Sequence, residues 1–316
     1  MKVLLPIIYH ELTECIARAW RNAGHTVQVV DWRRAARKSN AEATCIRQAM
    51  QFRPDIAFCQ FQSPNIISAA FPLALRSIGC YSINWSGDVR SPLPDWYKQL
   101  APHFDVTAFT NIPDVEEIRS LGCRSEFLQI GYDETIYHSV ENDNRQGVVF
   151  IGNNYHNKFE ESSSRRDMVR AMAEAYPDQF KVYGMGWETV APRGWQGYIR
   201  EPMDAIILRD ALVAVGWDHF HRAGFASDRL LRATACGCAV VNQHYDGIEQ
   251  EHPHVFAVST IDDMVEQVGH LLQNPQVAVS IGRANAINTK QQHRWDNRVN
   301  NILSWTTART ESSNIS

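Results

Sequence analysis

The sequence has no apolar segment long enough to cross a membrane, since no hydrophobic run approaches the roughly 18 residues that a spanning helix needs. It also has no excess of basic residues, because 31 Lys and Arg stand against 35 Asp and Glu, a formal net charge of -4. Any affinity for a polyanion must therefore come from a local patch. Repeats and low-complexity tracts are absent as well. With 316 residues, 44% of them hydrophobic, the composition predicts about two globular domains.

The seven cysteines follow neither the pattern of a disulfide framework nor that of a metal site. Their number is odd and most lie in apolar segments, which indicates reduced core thiols in a reducing, cytoplasmic compartment. Cys236 and Cys238 are too close together for a Cys-x-x-Cys knuckle. The His-x-His pairs at 219–221 and 252–254 have no third ligand at a recognisable spacing. The sequence therefore predicts no bound metal.

Short apolar runs alternate with amphipathic segments along most of the chain. Runs such as Val3–Ile8 and Ile56–Phe61 predict strands, and segments such as Ala41–Phe52 predict helices. This order predicts a parallel sheet covered on both faces. Functional loops should then gather at the carboxyl ends of the strands.

A polar segment without periodicity, residues 138–146, predicts a domain boundary, and a second alternation of strands and helices follows it. We therefore predict an N-terminal Rossmann-like domain at 1–138 and a second one at 147–290. The helical pattern near the C-terminus predicts a helix within 291–316 that packs back on the first domain.

The most informative segment is Ser227–Asn242, which has the pattern of a helix, a glycine-containing turn and a buried strand. A helix N-terminus offers unpaired N–H groups and the positive end of a dipole. Ser227 at the N-cap and Arg229 in the first turn could together hold a diphosphate, because Arg has a forked head that is always charged. A plain helix–strand unit with a capped helix explains the local pattern equally well.

This segment, Ser-x-Arg-x5-Ala-Cys-Gly before a strand, resembles the donor-binding signature of GT-B glycosyltransferases. The resemblance is closest to the CgeB-like (spore-maturation-type) group, which has bacteriophage members. Further fragments in the same order extend it over about residues 80 to 300. They are Asn84–Arg90, Leu128–Asp133, Val149–Asn154, Val182–Trp187, Asp218–Phe220 and His293–Arg298.

The resemblance implies an α/β protein of the GT-B fold, with two Rossmann-like doubly wound domains that face a central cleft. It implies a glycosyltransferase whose co-substrate is a nucleotide-diphosphate sugar, with a UDP-sugar expected, and that needs no cofactor. No Asp-x-Asp motif follows a strand, so a metal at the diphosphate is not expected, and Arg229 and a helix N-terminus can offset its charge instead. The strand–helix pattern alone would also fit a periplasmic-type binding protein or an epimerase, and a nucleotide-sugar-binding module without catalysis stays open.

Candidate donor ligands follow the strands of the second domain. Glycines let the backbone approach a ligand, Asn amides can bond phosphate or sugar hydroxyls, and a Trp could stack on a base. The candidates are Gly152, Asn153, Asn154, Gly184, Gly186, Trp187, Ser227, Asp228, Arg229, Asp246 and Gly247. Turns and a core Trp are the alternative interpretations. Many GT-B enzymes bind the donor ribose through a Glu where this chain has Arg232, so Asp228 or a backbone group would have to replace it.

Asp88 is the only carboxylate in the loop after the predicted fourth strand. If transfer inverts the anomeric centre, a base must take the proton of the acceptor hydroxyl, and Asp88 is the candidate. With retention, Asp88 would orient the acceptor instead. Capping of the turn, or pairing with Arg90, is the alternative interpretation.

The acceptor is expected on the first domain, where a basic segment follows the second predicted strand. Such a segment is usually a solvated helix start, but at the rim of a cleft it would suit a polyanion. The candidates are Trp32, Arg33, Arg34, Arg37, Lys38, Trp85 and Arg90. Our sharpest hypothesis is a hydroxymethylated base, such as 5-hydroxymethylcytosine, flipped out of double-stranded DNA onto a basic loop at 33–38. A polysaccharide, a protein or a small molecule are the other acceptors.

Overall fold

The computed structural model describes residues 1–7, 10–38 and 40–312, without the side chains of 10–12, 38 and 307–312. The chain divides into two compact units. Unit 1 comprises Met1–Ile130 and the C-terminal segment that begins at Trp295, and unit 2 comprises Gly131–Arg294. Each unit has its own parallel sheet.

Unit 1 is built on six parallel strands in the order β2-β1-β3-β4-β5-β6 among the described residues. The strands are β1 (Lys2–Pro6), β2 (Thr26–Val30), β3 (Ile56–Cys59), β4 (Tyr81–Ser86), β5 (Val106–Phe109) and β6 (Ser125–Phe127). The helices between them are α1 (His10–Asn22), α2 (Trp32–Lys38), α3 (Ala41–Phe52), α4 (Ala70–Ser77), α5 (Asp95–Leu100) and α6 (Ile112–Ser120). The inner strands β3, β4 and β5 are buried along their whole length, as expected for strands covered on both faces.

Local sequence explains where the helices of unit 1 begin and end. α3 begins after Asn40, whose side chain accepts the N–H of Ala43, and it ends at Arg53, which takes a left-handed conformation before Pro54. Side-chain capping of this kind satisfies an N–H that has no partner within the helix. These signals are readable in the sequence, and the predicted bounds of α3 agree with the structure.

Unit 2 is built on five parallel strands in the order β11-β10-β9-β7-β8 in the described part of the chain. The strands are β7 (Gln146–Ile151), β8 (Phe180–Tyr183), β9 (Ala211–Gly216), β10 (Ala239–Gln243) and β11 (Phe256–Val258). The helices are α7 (Ser162–Ala175), α8 (Met203–Asp210), α9 (Asp228–Ala235), α10 (Ile248–Glu251), α11 (Ile261–Gln273) and α12 (Pro275–Gln292). The predicted α/β fold of two Rossmann-like parallel sheets is therefore confirmed.

The last helix, α13 (Trp295–Ser312), lies within the predicted range 291–316 and packs on α1 in unit 1, while α12 belongs to unit 2. One strand differs from the sequence pattern. The strand predicted at Phe127–Ile130 lies earlier, at β6, because Ser125 pairs with Thr107 of β5. None of the helices in the described residues is both long enough and apolar enough to span a membrane.

Candidate active site

Four loops leave the carboxyl edge of the unit 2 sheet, after β7, β8, β9 and β10. Because these strands are parallel, their loops lie on the same side of the sheet. The N-terminus of α9 opens at this edge too, since α9 connects β9 to β10. The residues predicted to bind a donor therefore lie at one edge of the sheet, because all of its strands run in the same direction.

Arg229 lies in the first turn of α9, and its Nη2 donates to Oδ1 of the buried Asp218 at 2.5 Å. Burial opposes the charged form, but Asp218 and Asp228 hold the pKa of Arg229 above its usual value. Its Nε is buried and has no hydrogen-bond partner among the described residues. Arg229 is therefore a positive charge held in place by Asp218, and its Nε–H is a donor without an acceptor in the described residues.

Ser227 occupies the N-cap position of α9, but its side chain makes no capping hydrogen bond. The predicted start of the helix, with Ser227 as its N-cap residue, is therefore confirmed. Ser227 is itself buried, with 6% of its surface exposed. The serine hydroxyl thus leaves the N–H groups of the first turn to another acceptor.

The strongest feature of this edge is Arg165, which sequence reasoning did not select. Arg165 lies in the first turns of α7 and is 1% exposed, and its guanidinium lies over the ring of Phe150 at 4.8 Å. None of its three guanidinium nitrogens has a hydrogen-bond partner among the described residues. Burial, and next the charge of Arg229, lowers the pKa of Arg165 well below its usual value.

A signal for Arg165 does exist in the sequence. Met168, Val169 and Met172 are buried on one face of α7, and Arg165 lies on the same face by helical spacing. An Arg in line with an apolar stripe predicts a buried charge, and a buried charge without a partner is expensive. The neighbouring Arg166 points elsewhere and donates to Asn157 Oδ1 at 2.7 Å.

His219 is the second buried group without partners at this edge. It follows Asp218, is 9% exposed, and packs against Tyr155 and Phe159 at ring distances of 5.2 and 4.9 Å. Neither ring nitrogen makes a well-formed hydrogen bond within the described residues. Burial, followed by Arg165 and Arg229, lowers the pKa of His219 to about 3.

The loop after β7 supports these groups. A side chain at Gly152 would overlap with the guanidinium of Arg165 and would have to displace it. The Asn153 side chain accepts the N–H of Met185 at 2.9 Å, and the Asn154 side chain donates to the carbonyl of Gly186 at 2.7 Å. The two amides, predicted to bond a ligand, instead join this loop to the loop after β8.

Trp187 does not offer a face to a nucleobase. Its ring is 0% exposed in the core of unit 2, edge-on to Phe150, and its Nε1 donates to the carbonyl of Gly152 at 2.6 Å. The stacking role is therefore wrong, because the indole is needed to fill the core. Gly184 and Gly186 both take positive φ angles, and a side chain on Gly184 would overlap with the Gly152 carbonyl.

Arg232, at the position where many GT-B enzymes have a ribose-binding Glu, is held by two carboxylates. It lies 2.9 Å from Asp204 and 3.1 Å from Asp228, and its guanidinium stacks 4.9 Å above the ring of Tyr137. Arg232 and Arg229 hold the pKa of Asp228 below its usual value, although burial acts in the opposite direction. Asp228 thus remains an ionised acceptor at the start of α9, with 41% of its side chain exposed.

The loop after β10 contributes less. Asp246 is exposed, and its backbone carbonyl accepts the N–H of Gly224 at 2.9 Å. Gly247, with a φ of 105°, precedes the short helix α10. Their predicted contacts with a donor stay predictions.

In unit 1, the loop after β4 carries the predicted base. Asp88 is exposed and lies 3.8 Å from Arg90, so the predicted alternative of an ion pair is present. Arg90 also donates to the carbonyl of Gln62 at 3.1 Å. Both side chains lie at the carboxyl end of a strand, and Asp88 as the base stays a prediction.

The aromatic residues predicted to meet the acceptor lie in the core of unit 1. Trp85 is 0% exposed and its Nε1 donates to the Leu128 carbonyl at 2.9 Å. Trp32 is 2% exposed and its Nε1 donates to the Gln60 carbonyl at 3.0 Å. Neither indole offers a face to an acceptor, because each ring is enclosed and its N–H is already used, so stacking of Trp32 on an acceptor base is wrong.

The basic segment at 33–38 is not a loop but part of helix α2. The polar face of a short amphipathic helix explains this, since Trp32 at its start is buried while Arg33, Arg34 and Arg37 are exposed. The side chain of Lys38 lies outside the described residues. Three exposed arginines on one helix keep the local positive patch that the sequence predicts.

A cavity of 670 Å³ lies on the opposite side of the unit 2 sheet, near the amino ends of β7 and β9 and next to Arg145 and Ala211. The Arg145 guanidinium there donates to the carbonyls of Leu208, Ala211 and Cys236, so its charge is used within the fold. The volume of this cavity favours it as the binding site, whereas the buried guanidinium of Arg165 favours the carboxyl edge of the sheet. We assign the site by charge, because a buried guanidinium without a hydrogen-bond partner in the described residues favours a bound anion. No group of three or more metal-ligating side chains occurs in the described part of the chain.

Residues 164–304 match the family model described as Glycosyl transferase-like, a segment that includes Arg165, His219 and all of α9. Over this segment the chain is similar to that family, and its two Rossmann-like parallel sheets are those of the GT-B fold. No curated protein sequence matches the chain.

Solved structures show the same fold over nearly the whole chain. HepE from Anabaena, in complex with UDP-glucose, has 11% identity and a TM-score of 0.68, covering 98% of this chain and 100% of HepE. Sucrose-phosphate synthase from Thermosynechococcus elongatus has 9% identity and a TM-score of 0.66, covering 99% and 100%. A glycosyltransferase from Rickettsia africae has 10% identity and a TM-score of 0.68, covering 96% and 97%. At these identities the likeness concerns the fold.

Proposed function

We propose that this chain transfers a sugar from a nucleotide-diphosphate sugar, UDP-linked, to an acceptor hydroxyl, and that unit 2 binds the donor. One observation carries the proposal. The guanidinium of Arg165 is buried next to a second arginine at the edge where α9 begins, and it has no hydrogen-bond partner within the residues that the structure describes. Such an arrangement is costly in the free protein and needs a compensating anion.

A diphosphate provides that compensation. Its two negative charges would meet Arg165, Arg229 and the N–H groups of the first turn of α9. The same groups would stabilise the nucleoside diphosphate as it leaves, because charge accumulates on it when the bond to the sugar breaks. Asp228 would then be placed to accept hydrogen bonds from ribose hydroxyls, in place of the usual Glu.

The UDP-linked donor is supported by HepE of Anabaena, which shares this fold and binds UDP-glucose. The cytoplasmic location expected from the sequence is supported by the cysteines, all seven of which are free thiols. Membership of the CgeB-like group also belongs to the proposal, and it rests on the sequence fragments alone.

For the acceptor, we propose a hydroxymethylated base in double-stranded DNA, with Asp88 as the base that takes the hydroxyl proton. The support is limited to the patch of Arg33, Arg34 and Arg37 on α2 and to the sequence resemblance. Contacts of these arginines with phosphates would hold DNA without reading its sequence. A polysaccharide, protein or small-molecule acceptor would not need this patch.

Donor binding is tested by titrating the protein with a panel of nucleotide sugars that includes UDP-glucose, and measuring heat. We expect a nucleotide sugar to bind, and Arg165→Met to weaken it by about 100-fold, the value of a buried charge-assisted contact of about 3 kcal/mol. Arg166→Met is the matched control and should bind as the unaltered protein does. Equal affinity in both variants, or no binding in the panel, contradicts the proposal.

The acceptor is tested by incubating the protein and the donor panel with DNA that contains 5-hydroxymethylcytosine, 5-hydroxymethyluracil or neither. Mass spectrometry of the digested nucleosides should show the gain of one sugar on a hydroxymethylated base only. Affinity for DNA should fall steeply with salt, with a log–log slope of about -0.9 per phosphate contacted. Donor binding without any sugar on DNA would reject this acceptor and keep the other acceptors. Donor turnover without an acceptor would indicate an epimerase.

A further inference from the structure

We propose that His219 belongs to the diphosphate subsite and takes up a proton when the diphosphate binds, becoming a donor of hydrogen bonds to it. This inference rests on the proposed function, because it needs a diphosphate at Arg165 and Arg229. It adds to that site a residue whose charge depends on the ligand.

The position of the His219 ring is fixed by its surroundings. Its backbone carbonyl accepts the N–H of Glu161 at 3.0 Å, one turn before Arg165 in α7. Tyr155 and Phe159 cover the ring from the loop after β7. The ring is thus held at the start of α7, although neither nitrogen has a well-formed hydrogen bond within the described residues. A buried ring so placed lacks only the partner that a ligand can provide.

The charges around His219 are mainly positive in the free protein. Arg165 faces it from α7 and Arg229 from α9, and both disfavour the imidazolium. The carboxylates at this edge, Asp218 and Asp228, lie closest to arginines, since Asp218 pairs with Arg229 and Asp228 with Arg232. From the loop after β7, the Asn153 backbone favours the imidazolium only weakly against the two arginines and burial. The free protein therefore keeps His219 neutral throughout the ordinary pH range.

A bound diphosphate reverses this balance. Two negative charges next to Arg165 and Arg229 cancel the repulsion that both exert on the ring, and a hydrogen bond from the ring to a phosphate oxygen opposes the effect of burial, so the protonated form becomes favourable. One ring nitrogen then uses its lone pair to take a proton from a buffer acid in solution, whose own bond to that proton breaks, and both N–H groups of the imidazolium become donors. No other bond changes, and the proton returns to the buffer when the nucleoside diphosphate leaves.

The test is calorimetric titration with UDP-glucose in two buffers of different ionisation enthalpy. The diphosphate of UDP-glucose is a diester without a titrating group in this range, so proton uptake belongs to the protein. We expect proton uptake on binding, and an affinity that rises by up to about tenfold per unit as pH falls from about 8 to about 6. His219→Gln, which cannot be protonated, should abolish both effects. His221→Gln alters an exposed histidine of the same loop and should keep both.

The outcomes separate the two proposals. Binding of UDP-glucose without proton uptake, or with the same uptake in His219→Gln, overturns the role of His219 and leaves donor binding intact. No binding of any nucleotide sugar overturns both. If His219→Gln fails to fold, the unaltered protein still decides, by nitrogen NMR of its histidine rings. One ring should change from the neutral to the imidazolium spectrum when UDP-glucose is added, and its failure to do so also overturns the inference.

Discussion

The loop after β4 in unit 1 and the carboxyl edge in unit 2 hold equivalent places in two sheets of the same kind, and they differ in how their polar side chains are satisfied. In unit 1, Asp88 and Arg90 lie near each other at the surface, and the indole N–H groups of Trp32 and Trp85 are bonded within the core. In unit 2, Arg165 and His219 are buried with nitrogens that lack partners in the described residues.

This difference indicates which of the two regions is suited to bind a charged ligand. A surface ion pair contributes about 0 to 1 kcal/mol and can be broken at little cost, which suits a group that must exchange partners during a reaction. A buried charge without a partner is costly until a ligand arrives, which suits tight recognition of one charged group. Unit 2 therefore has the features of a binding site, and unit 1 has at most those of a reacting group.

The largest expected effect is on kcat and concerns Asp88 in unit 1. Asp88→Asn keeps the size of the side chain but removes the base, so we expect kcat to fall by about 100- to 10,000-fold. The affinity for the nucleotide sugar should not change, since the donor contacts lie in unit 2. Asp95→Asn, which alters another exposed carboxylate of unit 1, is the control. A kcat close to the original value would remove Asp88 from the reaction and leave unit 1 without a chemical group.

A pair of glycine substitutions compares the two regions directly. Gly152→Ala must displace the guanidinium of Arg165, so donor affinity should fall by about tenfold, roughly one charge-assisted hydrogen bond. In Gly87→Ala the new methyl group would lie 2.7 Å from Cη2 of Trp85. That variant should lose about 1–3 kcal/mol of unfolding free energy through overpacking and keep its donor affinity. Titration calorimetry and urea unfolding of both variants measure this, and the reverse pattern would break the comparison.

The stability of the protein without ligand tests whether Arg165 serves binding and Arg232 serves the fold. Arg165→Met removes a buried charge that has no hydrogen-bond partner in the described part of the chain, so the free energy of unfolding should stay the same or rise. Arg232→Met removes a guanidinium that bonds the buried Asp204, so we expect a loss of about 1–2 kcal/mol. Urea denaturation without ligand compares the two. A loss in Arg165→Met as large as in Arg232→Met would mean that Arg165 has a structural role.

The smallest effect concerns acid. His219 has a folded pKa of about 3, below its ordinary value of 6.5. As pH falls below 6.5, the unfolded chain takes up a proton that the folded chain refuses, so stability is full above that value and is lost progressively towards pH 3. The free energy of unfolding at about pH 5 should therefore recover in part in His219→Gln. If the free energy of unfolding depended on pH in the same way in the unaltered protein and in His219→Gln, His219 would have the same pKa in the folded and unfolded chain.

Much of the fold follows from local sequence. Continuous apolar runs predict the buried strands, and Asn40, Arg53 and Pro54 mark the bounds of α3. The sequence misplaces β6, because the pairing of Ser125 with Thr107 decides its bounds. The position of Arg229 was predictable because a helix start can be recognised from its cap and its apolar phase.

The sequence by itself determined two alternations of parallel strands and helices, and with them the edge at which functional loops must gather. The tertiary structure alone decided which polar side chains at that edge stay unsatisfied. Trp187, Asn153 and Asn154 look like ligand contacts in the sequence, yet packing and loop hydrogen bonds already use them. Helical spacing places Arg165 on the buried face of α7, yet only the tertiary structure shows that its guanidinium has no hydrogen-bond partner among the described residues. The physical reason is that satisfaction depends on neighbours distant in the chain, which a local pattern does not contain.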